Sequence, residues 1–245
     1  MAVPIPLEEL PVFNIDSSID KEYDWKSGAI FLMDKPTGWS SFKLVRLLRR
    51  VLNVKKIGHA GTLDPMATGL VILCVGKATK SISQIQELDK TYLAEITFGA
   101  STPTYDAEAE PDEFASWEHI SEDKLIAAIE SHFQGSIMQK APSYSALKHK
   151  GKPLYSYARA GEEVVEKIRE VQIHDFLVNK IELPVIEAKI RCGKGTYIRS
   201  IAHDLGLILS SRAHLSALRR SATGSFLVDK AFSPDTLEAT FTETV

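Results

Sequence analysis

The 245-residue sequence lacks any long apolar stretch and contains only two cysteines. No segment approaches the roughly 18 consecutive apolar residues of a membrane-spanning helix. The first 20 residues include acidic positions and no basic start, which argues against a secretory signal. Cys74 and Cys192 stand alone, so their spacing offers neither a disulfide framework nor a zinc site. From these absences we expect a cytoplasmic protein.

Acidic residues are scarce in three stretches, although the net charge of the whole chain is -3. These basic stretches are Lys35–Lys80 (nine Lys or Arg, with Asp64 as the one acid), 140–160 (five, with no acid) and 189–220 (seven, with Asp204 alone). Charge segregated in this way suits one phosphate-facing surface and one solvent-facing surface. Scattered, solvated charges are the alternative.

Hydrophobic periodicity predicts a mixture of strands and helices. The predicted strands are 28–33, 70–75, 91–98, 171–183 and 185–192; the predicted helices are one capped by Ser40, 121–133 and 196–209. In the first helix we expect Phe42, Val45, Leu48 and Leu52 to share the buried face. The elements do not alternate as βαβ units, so the sequence predicts an α+β fold. Residues 1–28 lack periodicity and are expected to be an extension before a domain at 29–240.

The densest chemical signal is the sequence GHAGTLDP at residues 58–65. Its glycines permit tight turns and close approach to a ligand. Pro65 favours an extended backbone at Asp64, and the surrounding cations favour an ionised carboxylate. Such a carboxylate can act as a nucleophile or an electrostatic stabiliser. From the residues alone, an ordinary Asp-Pro turn is an equally good interpretation.

The longer motif GHAGTLDPMATGL, followed by GKATK, closely resembles the catalytic motif of the TruB family, the bacterial tRNA pseudouridine-55 synthases. Four further segments resemble that family in the same order, namely LMDKPTGWSS, DKTYLAEITFG, PSYSALKHKGKPLYSYARAGEEV, and GKGTYIRSIAHDLG with SRAHLSALRR. The resemblance implies the pseudouridine synthase fold, a mixed central β-sheet flanked by helices. It also implies isomerisation of a T-loop uridine of tRNA, at position 55, to pseudouridine.

The resemblance further implies roles for single residues. Asp64 falls on the catalytic aspartate, and Arg199 falls on the arginine that pairs with it. Tyr92 falls on the tyrosine that stacks on the flipped base and is a candidate for proton transfer at C5. The residues implied to contact the RNA are His59, which fills the gap left by the flipped base, Tyr197 and Leu218 of the pocket, and Lys35, Lys77, Tyr144 and Lys148. Lys35 is also expected to shape the turn beside the catalytic loop. Because the reaction involves neither redox change nor hydrolysis, no cofactor or metal is expected.

Residues 137–161 resemble the RNA-clamping insertion of the family and interleave cations with tyrosines. We expect this insertion to close over the T-arm of tRNA, to become ordered on binding, and to read mainly shape and phosphates. Ala60 and Gly193 stand where many members have threonine and serine, and neither position must supply a catalytic group. We expect a monomer without a C-terminal PUA domain, since little sequence follows Leu237.

Two other functions fit parts of the pattern. A non-catalytic chaperone that grips the tRNA elbow would need the basic stretches, but neither the Asp64–Arg199 pair nor a tyrosine pocket. A nucleoside or glycoside hydrolase using Asp64 would ordinarily need a second positioned carboxylate. The motif segments supply none.

The insertion gives the first testable prediction. Replacing Lys148, Lys150 and Lys152 by alanine should weaken tRNA binding, because each lysine that neutralises a phosphate releases a counterion. The slope of log affinity against log salt should become shallower by about 2 to 3 units. Filter binding across a salt series measures the slope, and an unchanged slope would mean that these lysines do not face phosphate.

Overall fold

The computed structural model describes residues 3–20, 22–145, 148–149, 151–160, 162 and 166–242. Its contacts divide the chain into two compact units. Unit 1 comprises Met1–Tyr92 and Arg219–Val245, and unit 2 comprises Leu93–Leu218.

The described residues form both helices and strands, as the sequence pattern predicts. The helices are α1 Ser41–Leu52, α2 Ile82–Glu87, α3 Glu122–His132, α4 Leu154–Arg159, α5 Ile198–Ile208 and α6 Pro234–Thr242. The strands are β1 Val12–Phe13, β2 Ala29–Lys35, β3 Ile57–His59, β4 Thr68–Val75, β5 Lys90–Phe98, β6 Ala100–Ser101, β7 Glu113–Phe114, β8 Gly135–Lys140, β9 Lys148–His149, β10 Lys152–Pro153, β11 Ile168–Glu182, β12 Val185–Cys192, β13 Ala213–Thr223 and β14 Phe226–Leu227. The boundary between the units falls within β5 and within β13.

Unit 1 contains a mixed sheet. Strand β4 pairs antiparallel with β2 and β3 and parallel with the part of β13 that belongs to this unit, while β1 pairs parallel with β2. The apolar side chains of β2 and β4 form its core, and helix α1 packs on β2, β3 and α6. Parallel and antiparallel pairs in one sheet with flanking helices confirm the predicted α+β class.

Helix α1 confirms one prediction and corrects another. The Ser40 hydroxyl accepts a hydrogen bond from the Lys43 amide, as expected of an N-cap. Phe42, however, is 51% exposed, so its predicted place on the buried face was wrong. The buried apolar side chains of the helix are instead those of Leu44 and Leu47, together with Val45, Leu48 and Leu52. The ring of Phe42 lies below the guanidinium groups of Arg46 and Arg49, at 5.9 and 5.6 Å from its centroid.

Unit 2 contains the antiparallel strand order β8–β11–β12. The β11–β12 pair turns at Pro184, where the sequence predicts it, and helix α3 packs on α5 and β11. The residues expected to be buried on α5, which are Ile198, Ile201, Ala202 and Leu205, are all buried. In the insertion, β9 pairs with β10 and α4 follows. Lys150 lies outside the described residues, and only the backbone of Lys148 is described.

Three negative expectations concern disulfides, metal sites and membrane-spanning helices. Both cysteines are buried free thiols, and burial raises the pKa of Cys74 to about 12. Among the residues described, no three His, Cys, Asp or Glu side chains are grouped as metal ligands. No helix in that same part of the chain is long and apolar enough to cross a bilayer.

The N-terminal segment, whose purpose the sequence does not reveal, packs onto unit 1 through an aromatic cluster. Phe13 of β1 stacks on Phe31 of β2 with ring centroids 5.1 Å apart and planes at 17°. The rings of Tyr23 and Trp25 also lie against Phe13, at 5.4 and 5.1 Å, and Phe241 of α6 completes the cluster. Aromatic pairs at these separations stabilise a fold beyond the apolar area they bury.

This cluster predicts the effect of one truncation. Phe13→Ala should lower the free energy of unfolding by about 3 kcal/mol, the usual cost of removing a buried phenyl ring. Thermal and urea unfolding followed by circular dichroism measure the change. Ile15→Ala is the matched control, because Ile15 lies in the same segment but is 46% exposed. Equal stability of the two variants would contradict a structural role for the segment.

Candidate active site

A buried lysine stabilises the loop that carries Asp64. The Lys35 ammonium is fully buried and donates to the carbonyl oxygens of Pro36, Trp39 and Pro65, at 3.0, 2.7 and 3.1 Å. The amide of Gly38 donates to the same Pro65 oxygen at 2.8 Å. These contacts fit the expected turn-shaping role of Lys35. Its burial offers no support for direct contact with a substrate.

A hydroxyl at the start of α1 fixes the residue next to Asp64. Ser41 Oγ accepts from the Leu63 amide at 2.9 Å and donates to the Leu63 carbonyl at 3.3 Å. The Asp64 carbonyl accepts from the Ala67 amide at 3.1 Å, which closes a turn. The Asp64 side chain is partly exposed. The loop therefore presents a carboxylate on a backbone whose polar groups are largely satisfied.

Arg220 of β13 holds the glycine end of the same loop. Its buried guanidinium donates to the carbonyls of Leu70, at 2.6 Å, and Gly61, at 3.2 Å. Its backbone lies against Gly69, whose φ is +103° and where an added Cβ would stand 2.3 Å from the Arg220 carbonyl oxygen. Glycine is required at position 69 because both the left-handed backbone and the close approach exclude a side chain.

His59 ends β3, just before this loop. Burial, together with the charge of Arg220, lowers the pKa of His59 below its usual value, so the imidazole is neutral at pH 7. Its Nδ1 is buried, and a hydrogen bond with the Gly61 backbone opposes part of the shift. A neutral imidazole ring can stack on a base.

Tyr92 and Lys77, the other two residues of unit 1 that are expected to contact the RNA, differ in exposure. Tyr92 is buried near the end of the unit 1 portion of β5, where the Thr91 carbonyl accepts from the Ser221 hydroxyl. Lys77 has an exposed side chain, while its amide donates to the Lys26 carbonyl. The side chain of Lys77 thus lies in solvent, whereas that of Tyr92 is buried.

In unit 2, Tyr197 lies just before α5, and other residues bind both its backbone and its ring. Its amide donates to Gln139 Oε1 at 2.8 Å, and its carbonyl accepts from Gln139 Nε2 at 3.0 Å. Gln139 is buried, so these bonds form out of water. The guanidinium of Arg169 lies 4.6 Å from the centroid of the Tyr197 ring. This cation–π contact and the two backbone bonds fix the ring orientation.

Arg199 is a buried cation on the first turn of α5. It donates to the carbonyls of Thr104, at 2.9 Å, and Tyr144, at 3.2 Å. Its Nε lies 3.4 Å from Asp106 Oδ2, and both side chains are almost fully buried. Asp106 is held in turn by the Thr104 hydroxyl and the Glu108 amide, at 2.6 and 3.0 Å. The structure thus brings Tyr144, Tyr197 and Arg199 together. Leu218 is buried in β13.

Similarity to known proteins identifies the family of this chain. A family model described as the N-terminal domain of TruB family pseudouridylate synthases matches residues 49–198. The chain belongs to the TruB family. A relative named tRNA pseudouridine synthase B, from Flavobacterium johnsoniae, is 45% identical over 215 residues, which are 85% of this chain and 93% of the relative. A relative of the same name from Opitutus terrae is 45% identical over 86% of this chain and 87% of its own length.

Solved structures show the same fold as this TruB family chain. A chain of a Cbf5–Nop10–Gar1 complex is 28% identical with a TM-score of 0.65, over 85% of this chain and 53% of that one. A chain of an H/ACA RNP bound to a substrate RNA containing 2'-deoxyuridine is 26% identical with a TM-score of 0.62, over 83% and 50%. This chain therefore spans about half the length of the solved chains that it matches.

Sequence reasoning missed several residues that support the TruB-type motifs. In the sequence, Asp106 is one acid of an acidic stretch, and Gln139 is part of a polar insertion. Arg220 reads as one cation of a basic block, although its guanidinium is buried. Each binds a partner distant in the sequence, so no local pattern reveals it. The expected pairing of Arg199 with Asp64 joins residues of different units and stays a prediction.

The buried pair in unit 2 yields a stability prediction. Asp106→Asn should lower the free energy of unfolding by about 3 kcal/mol, because it removes a buried carboxylate that neutralises charge on the buried Arg199. The control is Asp175→Asn, which breaks the exposed pair of Asp175 with Arg191 and should cost under about 1 kcal/mol. Urea unfolding of the two variants gives the comparison. Similar losses in both would show that Asp106 is not a buried counter-charge.

Proposed function

We propose that this protein isomerises a uridine of tRNA to pseudouridine, with Asp64 as the catalytic carboxylate. The observation that carries the proposal is the identity to curated enzymes named tRNA pseudouridine synthase B, which extends over 93% of the length of one of them. The target that we propose is the uridine at position 55 of the T-loop. The reaction breaks the N1–C1′ bond, turns the uracil, joins C5 to C1′, removes the proton from C5 and places a proton on N1.

Asp64 stands where a carboxylate must be held still yet reach a substrate. It is partly exposed, and the loop around it is fixed by Lys35, Ser41 and Arg220. A nucleophile or electrostatic stabiliser works best when its position needs no rearrangement during the reaction. His59, whose lowered pKa keeps the ring neutral, suits the gap that the flipped base leaves in the RNA.

The base must leave its stack before it can react, and this costs a few kcal/mol that a snug pocket offsets. Tyr92 would stack on the flipped uracil and assist proton transfer at C5. Tyr197, fixed by Gln139 and Arg169, would supply a second ring, and Leu218 would supply an apolar wall. Arg199 would orient Asp64 and favour its ionised form.

The RNA contacts follow from exposed cations. Lys77 and Lys152 have exposed side chains, and Lys148 and Tyr144 belong to the segment expected to close over the T-arm. Phosphate contacts of this kind position the RNA, and the loop nucleotides are read directly. We propose that the protein acts in the cytoplasm as a monomer.

A chaperone that only grips tRNA is the weaker proposal. Such a protein has no need for a partly exposed carboxylate on a fixed loop. It also has no need for a buried arginine held by an aspartate and two carbonyl oxygens. Burying charge in this manner costs free energy, which function at a site explains better than binding to a surface does.

The catalytic role of Asp64 is tested by Asp64→Asn. We expect pseudouridine formation to fall by at least roughly a thousandfold, while the affinity for tRNA stays within a few-fold, since the amide fills the same space without the charge. Tritium release from C5-labelled tRNA transcript measures turnover, and filter binding measures affinity.

The matched control is Asp229→Asn, which changes an exposed acid of the same unit. It should react at the wild-type rate. Full activity in purified Asp64→Asn would refute the assignment. Intact tRNA binding by a wild-type protein that forms no pseudouridine would favour the chaperone.

A further inference from the structure

Residues 102–106 form a loop that carries two of the groups bound by Arg199. They are the Thr104 carbonyl, 2.9 Å from Nη1, and the Asp106 carboxylate, 3.4 Å from Nε. The loop closes on itself, because the Thr102 hydroxyl donates to the Asp106 carbonyl at 2.7 Å. Its end is tied to β13 by the amide of Leu215, which donates to the Tyr105 carbonyl at 3.0 Å. The shape of this loop therefore sets the place of the guanidinium.

Tyr105, between those two groups, has an unusual backbone. Its φ is +63°, in the left-handed region. Glycine and asparagine enter that region easily, whereas an aromatic residue does so only when its surroundings compensate for the strain. The sequence does not explain this choice. Glycine at position 105 would form the same turn with less strain.

The compensating contact is a stack between Tyr105 and His203. The ring centroids are 3.8 Å apart and the planes meet at 12°. His203 lies on α5 one turn after Arg199, on the same side of the helix. The loop is therefore attached to α5 at two neighbouring places, by ring stacking at His203 and by polar contacts at Arg199.

Burial, more than the surrounding charges, keeps both rings neutral. Burial raises the pKa of Tyr105, and burial together with Arg212 lowers the pKa of His203. Burial also raises the pKa of Asp204, beside His203, to about 6. The ionisable groups that face the two rings are Lys140, Asp204, Glu166, Asp112, Glu113 and Arg212. A neutral phenol can stack closely on a neutral imidazole, since neither carries a charge that water would have to solvate.

We propose that Tyr105 and His203 are positioning residues for Arg199. Their stack holds the 102–106 loop in the left-handed turn that sets Thr104 and Asp106 against the guanidinium. This inference rests on the proposed function, because it matters to the reaction only if Arg199 serves the isomerisation. Neither residue is proposed to touch the RNA.

Tyr105→Gly tests the proposal with little risk to the fold. It removes the ring and relieves the strained backbone, so the melting temperature should change little. With enzyme in excess, we expect the single-turnover rate to fall about tenfold, since a small misplacement of a catalytic group has effects of this size. The dissociation constant for tRNA should stay within twofold. His203→Ala should lose a similar factor, and the double variant should be no slower than either single variant, because both remove one interaction.

The conservative variant and a control separate positioning from packing. His203→Phe keeps a ring in the stack and should recover most of the rate. Phe176→Leu changes another aromatic pair of unit 2, Phe133 with Phe176. It should lower the melting temperature and leave the rate unchanged. A wild-type rate in Tyr105→Gly, or no recovery in His203→Phe, would overturn the proposal.

A spectroscopic measurement separates this inference from the function on which it rests. Hydrogen exchange of the Arg199 guanidinium, followed by nitrogen-15 NMR, should be at least about tenfold faster in Tyr105→Gly, because the loop then holds it less firmly. Unchanged exchange would contradict the positioning role even if the enzyme were active. A wild-type protein that makes no pseudouridine would contradict the proposed function, whatever the exchange rates were.

Discussion

Buried cations that bind backbone carbonyl oxygens are the interaction on which the candidate site depends. Irregular loops leave carbonyl groups without partners, and these cannot be buried unless a donor reaches them. Lys35 and Arg220 supply such donors beneath the Asp64 loop. Arg199 does the same for the loops at Thr104 and Tyr144. Each charge gives up water and recovers part of that free energy from two or three carbonyl dipoles.

These buried cations also let loops hold side chains as firmly as helices and strands do. Asp64 and Asp106 both lie outside helices and strands, yet the backbone near each is bound at several atoms. Gly69, pressed against the Arg220 backbone, shows how close the packing becomes where the loop meets the sheet.

Most of the regular structure could be predicted from the sequence, because its signals are local. The alternation in β5 and the apolar run of β4 mark strands, and the spacing of Ile198, Ile201 and Leu205 marks α5. Strand β13 was not anticipated. Its run of charged and polar residues hides the alternation, since Arg220 is buried by contacts with a loop, and the partly exposed Arg219 forms an ion pair with Asp34. Phe42 was misplaced for a related reason, because two arginines cover its ring in place of the core.

The candidate site shows the same difference between residues with a local sequence signal and residues that act through long-range contacts. A motif reveals Asp64 because neighbouring residues carry the signal. The partners that fix the site come from distant parts of the chain, so only the fold shows them: Asp106 for Arg199, Gln139 for Tyr197, and Arg220 for Gly61. Resemblance to a family can name the residues that act, but the residues that hold them in place depend on contacts that a single sequence does not reveal.

The pairing of β1 with β2 has a consequence for how the protein behaves in concentrated solution. Strand β2 is apolar along most of its length, and β1 adds a two-residue strand along its free side. An open, apolar strand edge is a template for association with other chains, and a short, irregular neighbour removes that template. The N-terminal segment thus covers part of this strand edge, and its carboxylates add mutual repulsion between molecules at neutral pH.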